Sequence, residues 1–470
     1  MISETLHHVL LKAAFSTVSC GRTLRALKIL EQEQWLDRGK VDQLQAERLS
    51  NLLLHAYEHV PYYHRTLRGT AVIASNRRVQ VNKFSDIPLL DKAIVRQCFD
   101  DLKSDDLAHR KWYCNTSGGS TGEPVRLVQD KHYLDWARAV KIMFDQWSGY
   151  SIGSRKVLLW GSERDLFVGR EMAKVKVSRW LKNEVWLNAF RMTPRQMRLF
   201  VDRINTFRPL QILAYAESIY QFSRFIEGKN LKVYSPKAIM SEAGTMFPHM
   251  RETMERVFKA PVFNCYGSRE VGDMACECNQ HMGLHISLPT HYVEVLREDG
   301  TPAEPGESGE VVVTSLINYA MPLIRYRIGD MAIWADEPCS CGRSWPLLAE
   351  VTGRVTDAFA KRDGGVVVPE YFIHLIGVVL NTGWIHKYQI IQEDYDSVRV
   401  LLVPQESAED VQERHSEEIS EIAEKIRLVM GEACRVEFEF VEDILPTASG
   451  KYRYTISKVT DRAREDQNVK

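Results

Sequence analysis

Residues 115–124 read Asn115-Thr116-Ser117-Gly118-Gly119-Ser120-Thr121-Gly122-Glu123-Pro124, which places three glycines and four hydroxyl side chains in ten positions. Glycine lets backbone N–H groups approach an anion closely, and Ser and Thr hydroxyls add further donors. Ser117, Gly118, Gly119, Ser120, Thr121 and Gly122 therefore read as a cradle for a nucleotide polyphosphate. The stretch is not a Walker A loop. That motif needs Gly-Lys-Ser/Thr opening a helix, and here Glu123 and Pro124 follow Gly122. Apolar alternation through Val125-Arg126-Leu127-Val128 predicts a strand leaving the loop, hence a glycine-rich hairpin tip.

Five later segments offer chemistry in a fixed order. Tyr266-Gly267-Ser268-Arg269-Glu270 follows apolar Val262-Phe263, which predicts a strand end, where open α/β sheets bind ligands. Asp330, expected just after a strand over Arg325-Tyr326-Arg327, supplies a carboxylate suited to ribose hydroxyls. Gly353-Arg354-Val355-Thr356-Asp357 falls where two units join, and Gly364-Gly365 opens the smaller one. Leu445-Pro446-Thr447-Ala448-Ser449-Gly450-Lys451 sets a lysine at the tip of a glycine turn.

Nine cysteines are an odd number in a long chain, and no charged n-region precedes an apolar stretch at Met1-Ile2-Ser3-Glu4-Thr5. Both observations argue against a disulfide framework and for a soluble cytoplasmic protein. Two pairs stand close together, Cys276/Cys278 and Cys339/Cys341. Cys-x-x-His with Cys-x-Cys suggests a closed, structural tetrahedral zinc site from Cys278, His281, Cys339 and Cys341. Cys276 and His285 are the substitutes, and uncoordinated reduced cysteines are the plain alternative.

These residues need a scaffold. At 470 residues the chain can bury a large core and divide into lobes. A net charge of −1 gives no electrostatic case for nucleic acid or an anionic membrane, and no apolar run reaches a membrane span. Residues 1–60 look helical, with Leu49, Leu52, Leu53 and Ala56 on one face and a stop at Pro61. A helix over 131–148 carries Tyr133, Trp136, Phe144 and Trp147 as core. Between 155 and 262, buried strands at 157–160, 212–215 and 238–240 alternate with helices at 194–206, 217–228 and 247–258. That alternation predicts a parallel sheet covered on both faces. Hairpins follow from 285 to 334, and from about 354 strands at 388–393, 398–403 and 435–440 with a charged helix near 408–430 predict a small α+β unit. The expected architecture is α/β, with a large domain over 1–353 and a lid over 354–470.

In this order the motifs resemble the adenylate-forming superfamily. The nearest likeness is to the phenylacetate–CoA ligase family and its CapK-like capsule-biosynthesis branch, carried by His55-Ala56-Tyr57-Glu58-His59-Val60-Pro61-Tyr62-Tyr63, Tyr266–Glu270 and Arg325-Tyr326-Arg327. The resemblance spans nearly the whole chain. It implies that a carboxylate attacks the α-phosphate of ATP, and that the acyl group then passes to CoA, an amine or a carrier-protein thiol. It implies further that Glu270 helps hold Mg²⁺ and Asp330 holds the ribose with Arg354 nearby. Lys451 would bridge carboxylate and α-phosphate, and a swinging small domain would bring Lys451 in for one step only. A homodimer is also implied. Glu123 stands where the family carries a loop lysine, Thr356 where an acidic hinge residue is common, and Ile328 where threonine is frequent. Amide ligation in polysaccharide biosynthesis, adenylylation of a cofactor and a degenerate binding protein are the competing readings. Gly161, Ala216 and Ala243 in candidate pocket segments leave room for an aromatic acid.

Overall fold

The computed structural model describes residues 18–117, 125–161, 173–352, 357–376, 384–405, 411, 414–444 and 453–459. The chain begins with helices α1 (Val18–Glu33), α2 (Arg38–His59), α3 (Pro61–Arg68) and α4 (Lys92–Gln97). Asp37 starts α2 by accepting the Lys40 N–H at 2.9 Å, and Leu49, Leu52, Leu53 and Ala56 are its buried stripe. The helix ends at Val60 as expected, but Pro61 also opens α3 at once. The first helical position needs no N–H, so one proline serves as stop and start.

Strands β1 (Trp112–Ser117) and β2 (Val125–Asp130) pair antiparallel with Ser117 opposite Val125, so the flanks of the glycine-rich loop form the expected hairpin. The loop itself, residues 118–124, lies outside the described residues. Asp130 ends β2 and caps α5 (Lys131–Trp147) through the Tyr133 N–H at 2.8 Å. Tyr133 and Phe144 are buried core, as their spacing predicts, whereas Trp136 and Trp147 pack against that core only partly buried.

After α5 come β3 (Lys156–Trp160), α6 (Ala173–Leu181), β4 (Glu184–Asn188), α7 (Pro194–Phe207), β5 (Gln211–Tyr215) and α8 (Ala216–Gly228). Then follow β6 (Ala238–Glu242), α9 (Pro248–Phe258), β7 (Val262–Ser268), β8 (Gly272–Glu277), β9 (Leu284–Ile286), β10 (His291–Leu296), β11 (Ser308–Ser315), β12 (Tyr326–Trp334) and β13 (Leu347–Thr352). All these strands join one eleven-stranded sheet in the order β10-β11-β12-β13-β9-β8-β7-β6-β5-β3-β4. The β4-to-β7 half is parallel; the rest is antiparallel. The expected parallel sheet therefore continues into the hairpins instead of standing apart from them. The β7–β8 hairpin makes the join, because β8 takes the edge of β7 that β6 leaves free.

Asp330 does not follow a strand; it lies inside β12. Pairing with β11 slips between Glu310 and Val312, and Gly329 takes φ +91° there. A bulge of this kind re-aims a side chain without ending the strand.

The C-terminal unit holds β14 (Phe359–Ala360), β15 (Val366–Val367), α10 (Pro369–His374), β16 (Ile385–Asp394), β17 (Ser397–Pro404), α11 (Ser416–Met430), β18 (Arg435–Phe440) and β19 (Thr455–Ser457). Its main sheet runs β18-β17-β16-β19, the small α+β arrangement read from the pattern. Two apolar cores flank the large sheet. One joins α2 and α5 residues such as Leu52 and Phe144 to Met240 and Tyr326. The other joins Ile212, Phe222 and Met254 to Tyr371, Phe372 and Ile385 of the C-terminal unit. Among the described residues no helix is long and apolar enough to cross a membrane.

Candidate active site

The root of the glycine-rich hairpin is stitched to the β7–β8 turn. Asn115 Nδ2 donates to Gln129 Oε1 at 3.0 Å and to the Arg269 carbonyl at 3.3 Å. Gln129 Nε2 reaches the carbonyls of Arg269 (3.1 Å) and Glu270 (3.2 Å), and Arg269 Nη1 returns to the Thr116 carbonyl at 3.1 Å. Two segments more than a hundred residues apart thus share one corner. Gln129, which fixes this corner from a fully buried position, carries no motif signal in the sequence. A glutamine in an alternating strand reads as surface, and only the tertiary partner reveals its job.

Ser117 ends β1 with 2% exposure, and Ser268 ends β7; neither Oγ has a hydrogen-bond partner among the described residues. Buried hydroxyls left without partners suit a ligand that brings acceptor oxygens. Gly267 must be glycine: a Cβ would come within 2.7 Å of both Asp273 Cα and the Gly272 carbonyl oxygen. Beside it, Tyr266 Oη donates to Asp330 Oδ2 at 2.9 Å, so the bulge in β12 brings the carboxylate to the end of β7. Glu270 sits in the same turn with 4% exposure. The structure therefore gathers Ser117, Tyr266, Gly267, Glu270 and Asp330 around the end of β7. Arg354, Lys451 and residues Gly118, Gly119, Ser120, Thr121 and Gly122 lie outside the described residues.

Aromatic rings pack together at the neighbouring strand ends. Trp160 at the end of β3 packs on Tyr215 at the end of β5, ring centroids 4.0 Å apart, and Tyr215 Oη donates to the Gly161 carbonyl at 3.1 Å. Gly161 lies against Phe190, where a Cβ would fall 2.3 Å from the ring. Ala243, just after β6, holds φ +51°, a conformation that costs a non-glycine residue on the order of 1 kcal/mol. Glu242 is ion-paired to Lys141 of α5.

One carboxyl enters from the other unit. Glu370, at the start of α10, has 8% exposure and an Oε2 with no partner among the described residues. Its Oε1 lies 3.9 Å from where a Gly244 Cβ would stand, beside Ala216. Burial, with Glu217 adding a like charge, pushes its pKa up to about 8. In the sequence it reads only as an acidic residue in a helix first turn, a common placement that flags nothing.

The Arg325-Tyr326-Arg327 motif serves structure. Arg325, itself buried, donates to the carbonyls of Ser85 (2.6 Å) and Ile87 (2.7 Å) and pairs with Glu294 at 3.0 Å. Arg327 forks onto Glu310. Likewise Tyr63 donates to the Pro322 carbonyl and accepts the Ile324 N–H, which locks α3 to the segment before β12.

The cysteines also converge, with one change from expectation. Cys278, Cys339 and Cys341 come together with His285, not His281. His281 instead lies 3.0 Å from Glu277 Oε2 and against the Phe263 ring. The β8–β9 hairpin is the cause: its register folds His285 back opposite Cys276, while His281 stays in the turn.

Comparison with known proteins places this arrangement. Residues 359–458 match the CapK C-terminal domain family. The chain is 23% identical to Protein CapK of Staphylococcus aureus over 428 residues, 89% of each chain. It is 26% identical to the phenylacetate–coenzyme A ligase of Thermus thermophilus, covering 76% of this chain and 82% of the relative. A crystal structure of 2-hydroxyisobutyryl-CoA ligase with 2-HIB-AMP and CoA superposes with a TM-score of 0.60 at 18% identity, covering 94% of each chain. The fold is therefore that of the adenylate-forming ligases. Within that fold the chain is similar over most of its length to CapK and to phenylacetate–CoA ligases, and its residues 359–458 match the CapK C-terminal domain.

Proposed function

We propose that this protein activates a carboxylic acid with ATP, releasing pyrophosphate, and then passes the acyl group from the acyl-adenylate to CoA. The observation that carries this reading is the corner where the hairpin root, the β7–β8 turn and the Tyr266–Asp330 pair meet. A carboxylate is a poor electrophile, and adenylation gives it a leaving group. The barrier is anion meeting anion, so positioning and cations do most of the work.

In this reading Ser117 to Gly122 hold the β- and γ-phosphates, and the Ser117 and Ser268 hydroxyls, without partners among the described residues, are in keeping with an oxygen-rich ligand. Asp330, oriented by Tyr266, accepts from the ribose hydroxyls with Arg354 close by. Lys451 bridges the acid and the α-phosphate as a compact cation. Mg²⁺ prefers oxygen ligands, and Glu270 would help hold it; the cation would offset phosphate charge. The acid lies against Trp160, Tyr215 and Gly161, which supports an aromatic or similarly flat substrate.

The test is acid-dependent exchange of pyrophosphate into ATP across aryl, hydroxy, fatty and amino acids, repeated with CoA and with amines as acceptors. At least one acid class should support exchange, and CoA should then yield a thioester. Exchange with product forming only from an amine would reassign the acceptor. No exchange with any class would remove the ligase reading.

A further inference from the structure

Cys278 follows β8, His285 is the centre of β9, and Cys339 and Cys341 lie in the loop before β13. Their ligand atoms all fall within 4.8 Å of one another. Cys278 Sγ is 3.6 Å from Cys339 Sγ, and Cys341 Sγ is 3.3 Å from His285 Nε2. A tetrahedral ion with its usual Zn–S and Zn–N bond lengths sets S···S edges of about 3.8 Å and S···N edges of about 3.6 Å. The observed separations are close to those edges and far longer than a disulfide bond of about 2.05 Å.

The surroundings are built for thiolate and imidazole ligands. His285 is fully buried, and its Nδ1 lies 3.1 Å from the Trp345 carbonyl oxygen. A carbonyl only accepts, so Nδ1 carries the proton and Nε2 turns its lone pair to the sulfurs. The Gln280 N–H points at Cys278 Sγ (3.5 Å) and the Arg343 N–H at Cys341 Sγ (3.4 Å). In each case the amide two residues on faces the sulfur, an arrangement that favours the charged thiolate. Cys276 is occupied elsewhere, 2.8 Å from Cys265 Sγ across the ladder.

We propose that Cys278, His285, Cys339 and Cys341 bind one zinc ion in a closed, structural site. Four protein ligands leave no position for water, so the ion takes no part in catalysis. Its work is mechanical. The site clasps the β8–β9 turn to the loop that carries Arg343. The Arg343 guanidinium lies 4.6 Å from the Trp35 ring and 4.4 Å from that of Trp147, and its Nε donates to Gln34 Oε1 at 2.8 Å. Zinc thereby ties the end of α1 and the end of α5 to the strand that pairs with β7.

Metal content of the purified full chain, free of any polyhistidine tag, tests this by elemental mass spectrometry after zinc reconstitution and removal of loose metal. About one zinc per chain is expected in the unaltered protein and in His281→Ala, with at least a tenfold loss of affinity in His285→Ala and Cys341→Ser. Metal-free unaltered protein would overturn the proposal, as would zinc lost from His281→Ala but kept by His285→Ala. Should His285→Ala fail to fold, the Co²⁺ form of the unaltered chain decides. Intense thiolate charge-transfer and tetrahedral d–d bands support the site, and a weak octahedral spectrum contradicts it.

Discussion

Strand β8 runs between two corners of opposite character. At Gly272 it meets the β7 end, where the Ser117 and Ser268 hydroxyls have no partner among the described residues and a bulge sets the Asp330 carboxylate against Tyr266. At Cys278 it meets a corner whose side chains turn inward on one another. The first has the makings of a place that admits and releases a ligand. The second has the makings of a clamp. Hydroxyls without partners at a glycine turn suit a ligand that comes and goes, whereas converged and oriented ligands suit a brace.

Substitutions around the β7 end and at Lys451 should have the largest effects. Lys451→Ala should lower acid-dependent pyrophosphate exchange by about 10²–10³-fold or more, as loss of a charge-stabilising donor does. Unchanged exchange would remove Lys451 from the chemistry. Gly267→Ala forces a Cβ to 2.7 Å from backbone on both sides, so it should cost about 1–3 kcal/mol of stability and weaken ATP binding in calorimetry. A variant as stable and as tight as the parent would show that this turn can relax.

Asp330→Asn keeps the shape but removes the charge that meets Tyr266 Oη. It should raise the KM for ATP about 10-fold, in line with the loss of a charged hydrogen bond, and leave the KM for the acid nearly unchanged. An effect confined to the acid would move Asp330 out of the ribose site.

The smallest effect sharpens the contact between units. Glu370 binds its proton more tightly folded than unfolded, with a pKa of about 8 against an ordinary 4.5. Native protein then holds a proton that the unfolded chain releases, so this group's stabilisation is full below about pH 4.5 and fades as pH rises to about 8. Glu370→Gln lacks that slope. Melting temperatures of variant and parent should agree near pH 5 and differ by about 2–4 °C in favour of the variant at pH 8. A constant offset across pH would show that Glu370 is already ionised in the fold.

Much of this was legible in the chain. The hairpin flanking 118–124, the helix over 131–148, the strand ends at Trp160, Tyr215 and Tyr266 and the small C-terminal unit follow from periodicity and capping. What escaped depends on register. Asp330 was expected after a strand because no local signal marks a bulge, and the bulge exists only where β11 and β12 slip past each other. His281 was expected as a ligand because it is near Cys278 in sequence; the hairpin brings His285 nearer in space. Gln129 and Glu370 matter through partners far away in the chain, which no spacing rule can see.

The central claim is that a carboxylate oxygen attacks the α-phosphate of ATP. A substrate acid labelled with ¹⁸O in both carboxylate oxygens, turned over with ATP and CoA, reads this directly in the mass of the product AMP. AMP carrying one ¹⁸O is expected, because the bridging oxygen stays with phosphorus when the acyl carbon is transferred. Unlabelled AMP, or ADP with label in inorganic phosphate, would contradict it.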